Sequence, residues 1–184
     1  MSKKVYIAAT QQNDGKTTVS MGLIFNFKER FKGIGFIKPI GQRYLEEDGQ
    51  KVDEDSILID DVFGIRCGIK DMSPIAVERG FTEKYILKPD KESIDSQIQQ
   101  AFGRVSRGRD LVVIEGTGHA GVGSVFDHSN AAVAKSLGAK VILVSSGGVG
   151  RPIDEIMLNK ALFDKEGVEL IGVIINKVKQ DKFD

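Results

Sequence analysis

The amino-acid sequence predicts an α/β fold in which a mostly parallel central sheet is flanked by helices in three layers. Two observations carry this reading. Five short apolar runs rich in valine and isoleucine, Val5 to Ala9, Ile34 to Ile37, Leu111 to Ile114, Val141 to Val144 and Leu170 to Ile175, are each followed by glycine or polar turns. Continuous apolar runs of that length suit strands buried on both faces, as in a parallel sheet. Helical patterns lie between them, and strands alternating with helices give a parallel sheet with right-handed crossovers. The length of 184 residues suits one domain with a single core, so the expected unit is residues 1–184.

The first helix is expected after the first run, where Val19, Leu23, Phe27 and Phe31 recur every four residues, the spacing of one helix face. A second follows from the stripe Ile94, Ile98, Ala101, Phe102 and Val105. A third is expected to start at Pro152, a favoured first helical position, and to stop at Gly167. The stretch 41–90, and Leu45 to Pro89 within it, is the exception: acidic residues, scattered glycines and one modest helical pattern near Ile57 to Phe63. It reads as an insertion or lid on the scaffold.

Composition excludes several classes of function. The 26 basic and 26 acidic residues cancel, and neither sign forms a long block, so no nucleic-acid-binding arm or membrane-adsorbed basic helix is expected. A single cysteine, Cys67, excludes an internal disulfide framework and a cysteine-rich metal site, and it reads as a small residue tolerated in a reducing compartment. The N-terminal MSKKVYIAAT is too short in its apolar part for a secretory signal, and no segment approaches the roughly 20 residues that span a bilayer. The expected location is cytoplasmic and the expected partners are small molecules and other protein surfaces.

The chemistry begins at Asp14-Gly15-Lys16-Thr17-Thr18, which follows the first strand directly and opens the first helix. Such a turn aims backbone N–H groups and the positive end of a helix dipole at one point, where phosphate oxygens can sit. Gly15 lets the backbone approach closely, Lys16 places a charge between terminal phosphates and Thr17 supplies a hydroxyl to Mg2+. Asn13, Asp14, Gly15, Lys16, Thr17 and Thr18 are therefore the candidate contacts to ATP, and the fold expected is that of the P-loop NTPases. The standard spacing would place glycine at position 10, which here is Thr10.

Further candidates cluster at strand ends. Glu115 ends the run Leu111-Val112-Val113-Ile114 and can reach a metal shell from the carboxyl edge of the sheet, unless it merely marks a strand end. Lys38 emerges after Gly35-Phe36-Ile37, either to stabilise charge developing in phosphoryl transfer or simply solvated. One of Asp53, Glu54 and Asp55 completes the metal shell, or Asp53 or Asp55 caps a helix. Asn176 ends the fifth strand, offering a donor and an acceptor to a nucleobase edge or serving as a turn residue.

Together these motifs resemble the dethiobiotin synthetase family and the synthetase-like modules of longer ATPases, including the N-terminal part of some phosphate acetyltransferases. The synthetases carry a longer loop, roughly G-T-x-T-x-x-G-K-T, with which Ala9 to Thr17 aligns without gaps. The family's K-P-V motif matches Lys38-Pro39-Ile40, its metal-binding aspartate Asp55, its E-G-x-G motif Glu115-Gly116-Thr117-Gly118, and its base-binding asparagine Asn176. The resemblance implies ATP-dependent closure of a carbamate onto an amine, with attack on the γ-phosphate. Lys16, Lys38 and Mg2+ would neutralise charge, while Thr17, Asp55 and Glu115 hold the metal. It also implies a homodimer.

Departures bear on the acceptor. Gly41-Gln42-Arg43 and Gly118-His119 replace the family's diamine-binding residues, and GTGHAGVGSVFDHSN resembles the modules of longer ATPases more closely. His119, Asp127, Ser129 and Asn130 would then line a different acceptor pocket, with His128 at a helix entry. The family continues beyond the asparagine with a helix and a strand, whereas this sequence stops at Asp184. The expectation is a piece of a longer protein; the alternative is a site completed by a partner. Two other P-loop classes fit less well: Gln11 stands where partition ATPases carry a signature lysine, and Asn176-Lys177-Val178-Lys179 lacks the aspartate that reads guanine. A nucleotide-sensing module that regulates an attached or partner domain is the remaining alternative to an enzyme.

Overall fold

The computed structural model describes residues 2–47 and 49–182. The expected end of the domain at Asp184 lies outside them. The chain begins with β1 (Lys3–Ala9), α1 (Lys16–Phe27), β2 (Ile34–Ile37) and β3 (Ile40–Gly41). It continues through the hairpin β4 (Tyr44–Glu47) and β5 (Gln50–Asp53) to α2 (Glu54–Phe63), α3 (Ile69–Met72), β6 (Ile75–Ala76), α4 (Phe81–Leu87) and α5 (Lys91–Ser106). The last elements are β7 (Leu111–Glu115), α6 (Asn130–Ser136), β8 (Lys140–Ser146), α7 (Arg151–Glu166) and β9 (Leu170–Asn176).

The central sheet has five strands in the order β2-β7-β1-β8-β9, and every neighbouring pair is parallel. All five carboxyl ends therefore share one edge. The first crossover runs toward β2 and the later ones run the other way, so right-handed connections put α1 on one face and α5, α6 and α7 on the other. Register agrees. Tyr6 pairs with Ile114 and Ile7 with Glu115; Tyr6 reaches Asn130 of α6 at 2.8 Å, while Glu115 accepts from Ser20 of α1 at 2.7 Å.

Three of the five apolar runs form inner strands, β7, β1 and β8, and β2 stands first in the strand order. β1 from Val5 onward, β2 and β7 are buried throughout. The fifth forms β9, but not the doubly covered strand expected: Ile171, Val173 and Ile175 are exposed. β9 is last in the strand order, so nothing pairs with its far side among the described residues.

The helices follow local signals. α5 buries Ile94, Ile98, Ala101, Phe102 and Val105, with Asp90 capping its start through Ser93 N at 3.0 Å. α7 has proline in its first turn and ends at Gly167 in the left-handed region. α1 departs from expectation. It ends at Phe27, so Phe31 lies beyond it, and its most buried line is Lys16, Ser20 and Ile24 rather than the apolar stripe one position away. Val19, Leu23 and Phe27 pack half-buried beside that line.

The stretch 41–90 holds far more structure than its one modest helical pattern indicated. Ile59, Ile65, Met72, Ile75 and Tyr85 join the main core, so the region is seated on the scaffold at β2 and α5 and forms a wall beside the carboxyl edge. Cys67 is half-buried there, 3.6 Å from an Arg109 nitrogen.

Candidate functional site

The loop between β1 and α1 is held from inside. Thr10, at the position of the missing glycine, is buried and donates from Oγ1 to Asp14 Oδ2 at 2.7 Å, and the amide of Gln11 donates to the same oxygen at 2.8 Å. The Asp14 carboxylate thus faces the loop interior, leaving its backbone for any outward contact. Asn13 and Gly15 both take positive φ, 69° and 99°, a conformation that glycine adopts at no steric cost and asparagine tolerates. Asn176 Nδ2 donates to the Asp14 carbonyl at 2.8 Å and Lys177 Nζ donates to the Asn13 carbonyl. A Cβ on Gly15 would collide with that Asn176 amide. The asparagine expected at the nucleobase therefore ties the loop to the end of β9.

The first intrahelical bond of α1 runs from Val19 N to Gly15 O at 3.0 Å, and Gly15 brings no side-chain cap. The amides of Lys16, Thr17 and Thr18 thus face outward with the positive helix end behind them, the arrangement that takes an anion. These residues open onto a cleft of about 250 Å³ shared with Lys38, Gln42, Arg43, Asp55, Glu115 and Thr117.

On the cleft floor the charges are buried. Glu115 has no exposed surface; its Oε1 accepts from Thr17 Oγ1 at 3.0 Å and its Oε2 from Ser20 Oγ at 2.7 Å. Burial pushes its carboxyl up to about 7, Asp55 adding to the rise and Lys38 opposing it. Burial also acts to raise Asp55, but the Lys38 ammonium and hydrogen bonds with Thr17 and Glu115 outweigh it and bring the group below its usual range. Lys38 Nζ lies 2.8 Å from Asp53 Oδ1, in contact with Asp55 Oδ2, and 3.9 Å from Glu115 Oε1. Burial works against its charge, yet Glu115, Asp53 and Asp55 hold the ammonium above its ordinary value. Lys16 goes the other way: burial dominates and lowers it, with Glu115 opposing.

Asp53 caps α2, accepting from Asp55 N at 3.0 Å, and the cap places Asp55 on the cleft side of the first turn. Of the two openings left for these aspartates, the structure shows capping by Asp53, and it leaves Asp55 at the cleft.

Among the described residues no three His, Cys, Asp or Glu side chains converge as a self-sufficient metal site. Two carboxylates and a hydroxyl do converge: Thr17, Asp55 and Glu115. That set fits Mg2+, which typically takes one or two carboxylates and completes its shell with phosphate oxygens and water.

The remaining sequence candidates divide. His119 is exposed and borders a separate groove of about 580 Å³ with Gln11, Glu155 and Leu158. Asp127 accepts from Tyr85 at 3.0 Å, Ser129 caps α6 through Ala132 N, and Asn130 bonds Tyr6 and the backbone of Thr117 and His119. Those three hold the 116–130 loop in shape rather than line a pocket. His128 sits at the entry to α6, between Phe126 O and Asp95. Ser20 was missed, although it lies four residues after Lys16 on the same helix face. Asn159 was missed too; it accepts from Ala120 N at 2.7 Å and reaches Thr10 O at 3.4 Å, and a buried asparagine inside a helix was the available signal.

Comparison with known proteins agrees with this geometry. A family profile described as AAA domain matches residues 3–183. An ATP-dependent dethiobiotin synthetase BioD of Clostridium kluyveri is 24% identical over 188 residues, covering 100% of this chain and 78% of that protein. The BioD of Methanococcus vannielii is 26% identical over 173 residues, 94% of this chain and 78% of the relative. A phosphate acetyltransferase of Pseudomonas putida is 29% identical over 189 residues, 96% of this chain but 25% of that protein. In fold, the kinase domain of Escherichia coli tyrosine kinase ETK superposes with TM-score 0.58 at 18% identity, over 97% of this chain and 69% of that one. A putative plasmid partition protein from Borrelia burgdorferi bound to AMPPNP gives 0.59 at 14% identity, over 97% and 77%. At such identities these two structures speak for the P-loop NTPase fold alone.

Proposed function

Since the chain belongs to the AAA domain family, as a dethiobiotin synthetase-like P-loop protein that binds ATP, we propose that it is a Mg2+-dependent ligase or ATPase that phosphorylates a carboxylate or carbamate. The observation that carries the reading is the convergence of Lys16, Thr17, Lys38, Asp55 and Glu115 on one cleft whose rim is the outward-facing first turn of α1.

In this reading the backbone N–H groups of residues 15–18 and the Lys16 ammonium receive the phosphates. Thr17, Asp55 and Glu115 hold Mg2+, which supplies neutralisation of phosphoryl charge. Lys38 faces the same point from the end of β2 and offers a second positive charge where charge develops. Thr17, Glu115 and the loop backbone are held before any ligand arrives, which spares the reorganisation that solvent would otherwise require. Asn13 lines the cleft beside them, while Asp14 and Asn176 act from behind through the hydrogen bonds that set the loop, with base recognition by Asn176 retained as part of the proposal. The acceptor is a small molecule entering past Gln42, Arg43 and Thr117.

A second reading has its own support. The phosphate acetyltransferase match covers only a quarter of that protein's length, so related domains serve as modules of larger chains, and a nucleotide-sensing role without ligation fits that use. Phosphate release measured with and without 7,8-diaminopelargonate and bicarbonate separates the two. Stimulation supports the ligase; ATP binding with no stimulation by any carboxylate or diamine tested sinks it in favour of the module.

Assembly is proposed as a homodimer. Val149 before α7 and Ile153, Met157 and Leu158 along it are exposed, apolar surface available to a second copy. No helix among the described residues is long and apolar enough to cross a membrane, and a cytoplasmic location is proposed with the rest.

A further inference from the structure

Lys38 is surrounded by more negative charge than a lysine that only faces a phosphate requires. Its ammonium touches Asp55, lies 2.8 Å from Asp53 and 3.9 Å from Glu115. Asp55 and Glu115 also meet Thr17 and form the set that fits a divalent cation. The same two carboxylates therefore face two possible cations, the ammonium and the metal ion.

The third carboxylate differs. Asp55, Glu115 and Lys38 line the cleft, and Asp53 does not. Asp53 is buried behind Lys38, and its Oδ1 already takes the ammonium and the Asp55 amide. Its Oδ2 is buried and accepts no hydrogen bond among the described residues. A buried carboxylate oxygen without a donor is rare and costly. An ammonium has three donors, so a Lys38 turning away from Asp55 has an acceptor in reserve within the carboxylate it already holds.

Resting on the reading that this cleft takes Mg2+, we propose that Lys38 is a displaceable counter-ion of the metal carboxylates, and that Asp53 is the positioning residue on which it pivots. Lys38 bridges the two carboxylates, in contact with Asp55 and 3.9 Å from Glu115. With Asp55 and Glu115 holding a divalent cation, the Lys38 ammonium would stay tethered to Asp53 and turn into the cleft. Metal entry and the presentation of Lys38 to the acceptor side are then one event.

The test uses Mn2+ as the probe on the nucleotide-free full chain, with free Mn2+ read by electron paramagnetic resonance. Lys38→Met removes the competing cation at similar length, and Mn2+ should bind at least tenfold more tightly than to the parent. Binding unchanged or weaker overturns the counter-ion role. Asp53→Asn should weaken Mn2+ several-fold in the Lys38 background, where the ammonium loses its pivot and stays on Asp55, and should have little effect in the Lys38→Met background. Equal weakening in both backgrounds overturns the positioning role, because a distant charge would act that way. If Lys38→Met folds poorly, melting temperature decides: added Mn2+ should restore it toward the parent value, and failure to do so counts against the proposal. Calorimetry of ATP with Mg2+ on the parent reports on the functional reading separately. A parent that binds no ATP while the Lys38→Met gain persists overturns that reading and leaves the counter-ion standing.

Discussion

The middle of the central sheet and its β9 side break the usual rule of burial in opposite directions. Around the phosphate loop, charges are inside: Lys16 is 8% exposed, Lys38 7% and Glu115 0%. Around β9 and α7, apolar side chains are outside: Val149 is 95% exposed and Leu158 73%. Buried charges persist only when paired or when a ligand uses them, and large exposed apolar groups are available for contact with another surface. The first region suits a small charged ligand, and the second is the surface on which the proposed homodimer would form.

The sharpest way to break that contrast is at the loop. Lys16→Ala should lower ATP affinity by about 100-fold or more, since charge-assisted contacts to phosphate are worth roughly 3 kcal/mol. Calorimetry showing unchanged affinity would remove the loop from the nucleotide site. Glu115 comes next. Its carboxyl sits at about 7 against an ordinary 4.5, so the folded chain keeps a proton that the unfolded chain has already released, and stability falls as pH rises through that window. Glu115→Gln should therefore gain on the parent between pH 5 and 8 by roughly 2 kcal/mol in metal-free buffer. A flat difference between their melting curves would show that burial does not govern this group.

Smaller effects sharpen the picture. Gly15→Ala adds a Cβ at φ 99° against Asn176 and should cost about 1–2 kcal/mol in chemical denaturation together with loss of ATP binding. Retained affinity would mean that the loop tolerates release from β9. On the opposite side, Leu158→Asp should change monomer stability by less than about 0.5 kcal/mol while shifting the light-scattering mass from dimer to monomer. An unchanged mass would leave that apolar face to some other partner.

The two regions were also unequally legible in the sequence. Inner strands announced themselves because β-branched runs such as Leu111 to Ile114 have no exposed face to interrupt, and α5 because five of its side chains repeat on one stripe. The same logic overreached at Leu170 to Ile175, since an apolar run specifies a strand and not its place in the strand order. The stretch 41–90 stayed opaque because β3 and β6 have two residues each and α3 four, too few for any period to show. In the cleft, residues next to the loop in sequence were readable from its motif. Ser20 was not, because its meaning comes from Glu115, 95 residues away, and the cage around Lys38 depends on how α2 is capped.

The position of β1 in the sheet has a consequence during synthesis. It precedes both of its neighbours, for β7 and β8 begin only at Leu111 and Lys140, and Asn176, which pins the loop through the Asp14 carbonyl, emerges later still. Such non-local pairing makes assembly wait for the chain. A nascent polypeptide stalled on the ribosome before Leu170 should therefore retain no nucleotide, its loop still lacking the Asn176 tie.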